Sequence, residues 1–512
     1  MLILEKFYFL RCAKQKHNLM KRVNFLLVVM LVSSQILMAG GLKTNVNQSS
    51  AWARTLARDA TLDIDGVYFN PAGLVHLSNG LHLSLSNQSI WQTRTITSDY
   101  AFLSGSPVEY NAELTAPIYP NLYVAYKTNK WTFSGGFGII GGGGSAEFPE
   151  GLSDFEVPTA SLVPQLTAAL APVDAAIASI TGTDPGFRNI TGYNMNASFS
   201  GTSAYYGYQV GATYAITDMI SVYLGGRLVT AKNSYEGALT DITIDAPAAY
   251  GGTMPAGDYL RIVASTPGLP PDVVATLNGT ASALDEGTAD GELKSTQTGT
   301  GFTPIIGVNI KVNDMLNIGA RYEHRTKIEL TNDTEVDYNE MYPDGETSRG
   351  DLPGMFGVGA QVKPLKNLTA TLGFTYYLDR AAYYGNTDES GDPINNESTI
   401  DNNHYTYQFA LEYKIIPVLG VSVGYTGGNL GVNDDYQNSM TYALKSQTFG
   451  GGIFVDVTEM IRINAGFNVT TYDDQGKSLS YVLSPDPLIQ VPYTDIYAKQ
   501  TSLFAIGVDF HF

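Results

Sequence analysis

Between Leu81 and the C-terminal Phe512 apolar and polar residues alternate with a period of two, in some fourteen segments separated by turns. That period belongs to strands, because successive side chains leave a strand on opposite faces. The spacing predicts strands at about Leu81 to Gln92 and at Leu122 to Lys127 with some residues before it. A third begins at Trp131 and dissolves into Gly135-Gly136, Gly138 and Gly141 to Gly144. Two more follow at about Tyr205 to Ala215 and Ile220 to Ala231. Then come hairpins at 302–312 and 316–326, 354–363 and 368–378, 405–415 and 419–427, and 447–456 and 460–472, with 497–512 alone at the end. In that last strand Phe504, Ile506, Val508, Phe510 and Phe512 share one face, and Ala505, Gly507, Asp509 and His511 share the other. Ile461, Ile463, Ala465, Phe467 and Val469 repeat the apolar face. Short turns alternate with long loops, as a membrane barrel requires. The fold class is therefore all-β, a 14-stranded antiparallel transmembrane β-barrel over residues 78–512. A soluble sandwich would need a second sheet to bury each apolar face, and it leaves the paired short turns and terminal Phe unexplained.

Four stretches break the alternation. Residues 1–39 read as a signal peptide: Met20-Lys21-Arg22 is the charged start, Phe25 to Val32 the apolar core and Leu37-Met38-Ala39 the cleavage site. Met20 is the expected true start. Residues 40–77 are too polar to face lipid and sit between the export signal and the barrel, which leaves the lumen, as an N-terminal hatch. At its end Asn70, Pro71, Ala72 and Gly73 form a turn, with Pro71 setting its own φ and Gly73 permitting φ > 0. Residues 145–197 and 237–298 are long external loops, the second and third on that side. In the first, Leu162, Leu166, Leu170, Val173 and Ile177 recur at helical spacing, and the second is dotted with apolar residues such as Leu260, Val263 and Leu277.

Composition sharpens this picture. Gly at 53 and Tyr at 33 are high and charged residues at 15% low, which suits curved strands with aromatic girdles. The lone cysteine is Cys12, so the exported chain would hold no disulfide. Without residues 1–39 it carries 24 basic and 48 acidic residues, a balance that repels nucleic acid. Three turns share one pattern, Thr217-Asp218-Met219, Asn313-Asp314-Met315 and Thr458-Glu459-Met460, and report hairpin geometry. His76, His82, His324, His404 and His511 are scattered, with no metal spacing and no nucleophile-base pair, so neither an enzyme nor a cofactor is expected. His404, at the outer end of its strand, reads as a rim histidine. Strand parity turns Arg227, Lys311, Arg321, Glu323, Arg325, Glu412, Lys414 and Arg462 toward the lumen. There they are expected to pair with Asp59, Asp63 and Asp65 of the hatch and so anchor it. Arg227, Arg321, Arg325 or Arg462 is a candidate partner for a substrate carboxylate.

Gly41-Leu42, the run Asn47 to Arg58, the small and acidic stretch Asp59 to Gly66, and above all Asn70-Pro71-Ala72-Gly73 resemble the N-terminal hatch of the FadL family. Asp351-Leu352-Pro353 is similar to a strand opening of that family, whose members are outer-membrane transporters of long-chain fatty acids and other hydrophobic compounds. The resemblance implies a bacterial outer-membrane monomer that captures a hydrophobic molecule at its external loops, passes it by the hatch and releases it sideways into outer-membrane lipid. The exit would be a kinked third strand, for which Gly135, Gly136, Gly141 and Gly142 are the candidates. The terminal Phe512 resembles the signal read by the barrel assembly machinery. Periodicity alone reaches only a plugged outer-membrane barrel, and an adhesin or ligand-binding barrel using the two long loops is the alternative.

Overall fold

The computed structural model describes residues 42–512 except 339, 389, 486 and 487. The predicted signal peptide and the start at Met20 lie outside them. Fourteen long strands form the wall: β1 Gly80–Ser98, β2 Val108–Thr128, β3 Trp131–Phe148, β4 Tyr193–Ala215, β5 Ile220–Asp245, β6 Gly291–Lys311 and β7 Leu316–Glu323 make the first half. β8 Met355–Leu365, β9 Leu368–Tyr377, β10 Tyr405–Ile416, β11 Leu419–Asn429, β12 Ser446–Thr458, β13 Ile461–Tyr472 and β14 Leu488–His511 make the second. Neighbours pair antiparallel, and β14 pairs with β1 to close the barrel. The predicted faces hold: Phe504 and Ile506 stand exposed on the outside, while Ala505 and Gly507 are buried toward the lumen. Leu224, Val210, Phe302 and Phe449 continue the exposed apolar band, and Phe512 ends it, stacked on Phe510.

Several strands run well past the expected ends, so the predicted loops 145–197 and 237–298 shrink to 149–192 and 246–290. β4 and β5 have 23 and 26 residues, where crossing a membrane takes about 10. Above the lipid the outer face meets water and no longer needs apolar residues, so the alternation fades while the backbone ladder continues. Polar runs such as Asn196 to Ser203 then look like loop in a sequence although they pair with β5.

The short-turn repeat has a local cause. Thr217 Oγ1 accepts from the backbone N–H groups of Met219 and Ile220 at 3.2 and 3.0 Å, and Asn313 Oδ1 accepts from Met315 and Leu316 at 2.8 and 3.0 Å. Thr458 Oγ1 accepts from Met460 at 3.1 Å. Each first residue closes its turn by mimicking a backbone acceptor.

Inside the barrel the hatch contains α1 Ser50–Thr55, α2 Gly66–Phe69 and a 3-10 turn at Pro71–His76. Outside, the β3–β4 connection holds α3 Ser153–Ala160 and α4 Leu162–Thr181, and the β5–β6 connection holds α5 Ala256–Ala264 and α6 Pro271–Gly287. The helical spacing noted in the first connection is α4, and its buried face is the predicted set Leu162, Leu166, Leu170, Val173 and Ile177. That face packs in one cluster with Tyr259, Leu260 and Val263 of α5 and Leu277 of α6. The apolar residues of the second connection therefore belong to two helices that spacing did not reveal.

Candidate translocation path

The hatch first folds on itself. Ser49 Oγ caps α1 by accepting from Trp52 N at 2.9 Å and donates to Asp65 at 2.9 Å. Arg58 reaches both Asp65 and Asp63, at 2.7 and 2.8 Å. Burial opposes ionisation of Asp63, yet Arg58, with help from Arg462, holds its carboxyl below the usual range. The wall then grips the hatch largely through its backbone carbonyls. Thr213 Oγ1 donates to Pro71 O and Ser221 Oγ to Ala72 O, each at 2.7 Å, and Asn317 Nδ2 donates to Ala60 O at 3.0 Å. Asn70 Nδ2 bridges Thr61 O and Asn309 Oδ1 at 2.9 and 2.8 Å.

Gly73 is needed here for a different reason from the one expected. Its φ is not positive; a Cβ there would lie 2.5 Å from Asn70 Nδ2 and 2.8 Å from Thr61 O, so the glycine permits a close crossing of the chain. Pro71 opens the 3-10 turn at its first position, where its missing N–H costs nothing.

The lumen charges pair differently from the expectation. Arg227 meets Glu323 at 2.6 and 3.1 Å and Gln209 at 2.7 Å, and Arg321 lies 3.3 Å from Glu323 and donates to Tyr68 O. Both guanidinium groups also stack on the Tyr68 ring, at 5.0 and 4.8 Å, so the wall clamps α2 through an aromatic residue and a carbonyl. Arg462 pairs with Asp456 at 2.6 Å and comes only within 4.0 Å of Asp63. Arg325 lies beyond β7, outside the lumen ladder, and reaches Asp351 at 3.6 Å and the Ala381 carbonyl. Asp351 also accepts from Arg349 and from Ile328 N, so the Asp351-Leu352-Pro353 stretch braces the loops above β7 and β8. Asp59 has no ion pair within 4 Å among the described residues; burial pushes its carboxyl up to about 6, with Arg321 pulling the other way. The wall therefore balances most of its own charge, along one strand for Arg321 and Glu323, across a hairpin for Arg462 and Asp456, and between β5 and β7 for Arg227 and Glu323. Among the described residues the closest ion pair between hatch and wall, Arg54 to Glu412, was missed by sequence reasoning. His404 is buried against the Tyr377 ring, 4.9 Å between centroids, and not exposed at the rim.

Among the described residues the wall is broken between β2 and β3. β2 pairs with β3 from Thr128↔Trp131 to Leu122↔Phe137, then only at Glu113↔Glu147, so Leu114–Asn121 and Gly138–Ala146 face each other without a ladder. On its other side β3 stays paired with β4 through two bulges, at Ile139/Gly141 and Gly142/Gly144. Gly142 and Gly143 have φ of +62° and +110°, a region closed to most side chains. Of the four candidate glycines, Gly141 and Gly142 lie at this gap; Gly135 and Gly136 lie below it, paired with Val124 and Tyr123. The unrecognised signal was Pro117 and Pro120 in β2, which cannot donate to a ladder and so mark an edge. Pro117 also disturbs the other side of β2, where the β1–β2 register shifts between Gln88 and Ile90 and the Asn87 side chain of β1 bridges the strands, accepting from Tyr119 N at 2.9 Å and donating to Pro117 O at 3.1 Å.

The hatch closes the gap from within. Asn45 N donates to Ile140 O at 2.8 Å, Asn45 Nδ2 to Gly142 O at 2.7 Å, and Gln48 Nε2 to Ile139 O at 2.8 Å. Tyr119 OH donates to the same Ile139 carbonyl at 2.5 Å. A Cβ at Gly141 would lie 2.5 Å from Lys43 O, so the bare glycine is what lets the hatch lie flat on β3. Above the hatch the lumen is apolar: Tyr119, Ile139, Phe148, Leu152, Phe199 and Tyr205 share one buried cluster. An apolar pocket opens above it between Phe155 of α3, Phe199 of β4, Leu239 and Ile242 of β5, and Leu293 of β6.

Fold and path define a plugged, fourteen-stranded barrel of the outer-membrane type with one interrupted seam. Comparisons with known proteins agree on that fold. Residues 160–342 match the family described as "Outer membrane protein beta-barrel domain". A Pseudomonas aeruginosa FadL homologue superposes with a TM-score of 0.56 at 11% identity, over 92% of this chain and 99% of that one. The Pseudomonas putida toluene transporter TodX does so with a TM-score of 0.52 at 13% identity, over 92% and 100%. No curated protein matches the chain.

Proposed function

We propose that this chain is an outer-membrane channel for hydrophobic compounds. A molecule is captured among α3 to α6, descends the apolar upper lumen to the hatch and leaves sideways through the β2–β3 gap into the bilayer. The observation that carries the reading is the gap itself, a missing ladder at the level of the apolar lumen with the hatch laid against its inner side. The physical case is one of hydration. Each CH₂ kept from water is worth about 0.8 kcal/mol, so a downward route through an aqueous pore would forfeit what capture gained. The fold shared with a FadL homologue and with a toluene transporter supports the class of cargo. In this reading the barrel works as a monomer, and the exposed Phe512 is the residue read by the assembly machinery. An adhesin or ligand-binding barrel has no use for an interrupted seam.

Filling the gap tests the proposal. Ala116→Trp and Ala146→Trp add bulk at two buried positions flanking the opening. Cells whose variant barrels still migrate as folded species should lose uptake of a labelled long-chain fatty acid. Import at the wild-type rate by both folded variants would contradict a lateral exit.

A further inference from the structure

A single side chain spans the gap that the backbone leaves. Because the β1–β2 register slips between Gln88 and Ile90, two residues of β2, Pro117 and Ile118, fall opposite the one residue Ser89. Side chains of β1 hold this bulge: Ser89 Oγ donates to Pro117 O at 2.9 Å, and Asn87 Oδ1 accepts from Tyr119 N. The extra residue inverts the alternation that follows it. Ala116 faces the lumen, so strict alternation would turn Tyr119 to the lipid; with Pro117 and Ile118 both exposed, Tyr119 points inward and is fully buried. There its hydroxyl donates to Ile139 O of β3 and accepts from Asn45 Nδ2 of the hatch, each at 2.5 Å. Its ring lies on Gly143, which has a φ of +110° and where a Cβ would sit 2.5 Å from Tyr119 Cε2. β2, β3 and the hatch therefore meet at one rotatable side chain, in the stretch where the ladder is missing.

A backbone ladder would join the two strands more firmly, but a side chain can leave and return without unpairing any strand. Tyrosine suits that task, since its ring is apolar toward a hydrophobic cargo and its hydroxyl needs a partner only while it is buried. Turning the ring away uncovers Gly143 and breaks two hydrogen bonds, while Asn87 keeps the backbone of residue 119 in place. We propose that Tyr119 is the gate of the β2–β3 gap, closed in this structure, and that its ring sets the width of the molecule that can pass. This rests on the reading that cargo leaves by the gap, and adds to it the residue that selects cargo by cross-section.

The test follows cells with folded barrels for uptake of labelled palmitate, uptake of the wider polycyclic hydrocarbon pyrene, and entry of a small hydrophilic antibiotic. Tyr119→Phe keeps the ring and loses both hydrogen bonds, so the gate should open about tenfold more often and palmitate uptake should rise, with the ratio of pyrene to palmitate unchanged. Tyr119→Ala removes the ring, and that ratio should rise. Antibiotic entry should stay at the wild-type level in both, because the hatch keeps its hold through Arg54 on Glu412 and Arg321 on Tyr68. A wild-type ratio in folded Tyr119→Ala overturns the gate, and so does antibiotic entry that rises with uptake, which would make Tyr119 a brace of the hatch. Where Tyr119→Ala does not fold, Tyr119→Phe decides, and palmitate uptake at the wild-type rate in it overturns the gate. If the gate falls while Ala116→Trp and Ala146→Trp still stop uptake, the lateral exit stands without it. If those variants also import at the wild-type rate, both readings fall.

Discussion

β1 and β2 each stand beside a seam, and the two seams could hardly differ more. β14 and β1 pair without interruption from His82↔His511 to Ser98↔Asp495. β2 and β3 pair over one short run near the periplasmic end, part, and touch again at Glu113↔Glu147. Both seams join antiparallel strands of similar length in the same barrel, so the difference comes from residue type. β1 and β14 offer an N–H at every rung they share, whereas β2 has Pro117 and Pro120 and β3 has glycines that bulge and turn left-handed. A barrel avoids edges by closing, and here it keeps one pair of edges and covers them with its own hatch. The continuous seam is closed by its own ladder, while the broken one is covered by the hatch.

The largest effect should come from the hatch that covers the opening. Arg321→Ala removes a donor to Tyr68 O and one of two guanidinium groups on that ring, and leaves Glu323 to Arg227 alone. Breaking such a buried pair costs roughly 3 kcal/mol. The hatch should loosen and cells should admit a small hydrophilic antibiotic; unchanged permeability would show that α2 is held by its backbone contacts alone. The continuous seam gives the next effect. Gly80 has a φ of +128°, and a Cβ there would collide with the Phe512 carbonyl. Gly80→Ala should lower the barrel's heat-unfolding midpoint, with a strain of about 2 kcal/mol. A wild-type midpoint would mean that closure at the C-terminus adds little to stability. The smallest effect concerns the edge itself: Pro117→Val with Pro120→Val returns two N–H donors to β2. Hydrogen exchange should slow across Leu114–Asn121 if β2 and β3 can then approach, and unchanged exchange would assign the gap to the β3 bulges alone.

Much of this was legible in the residues. Period-two alternation located the wall because lipid demands one apolar face, and it reported inward charges because the lumen demands the opposite. The hatch could be recognised as the stretch with nowhere else to go. Alternation fails where its cause fails: above the lipid the outer faces of β4, β5 and β14 meet water and need no apolar residues, so their ends read as loop. Partners were harder than places. Arg227 and Arg321 were assigned to the lumen by parity, but parity says nothing about which carboxylate is nearest, and Glu323, on the same strand as Arg321, was the answer. β1 was ended six residues too soon, at Gln92, so the buried Arg94 was not placed in the lumen. The gap was half legible: glycines can mark a bend anywhere along β3, and only the prolines of the facing strand showed how high the ladder stops.

A reversible lock on the gap tests the account most directly. Cys12 is the sole cysteine of the sequence, so an engineered pair would act on its own background. Leu114→Cys with Ala146→Cys places thiols on the rung next to Glu113↔Glu147, where β2 and β3 begin to part. A cleavable thiol cross-linker should stop fatty-acid uptake in folded barrels, and reduction should restore it. Uptake that continues through the cross-linked barrel would show that the cargo leaves by another route.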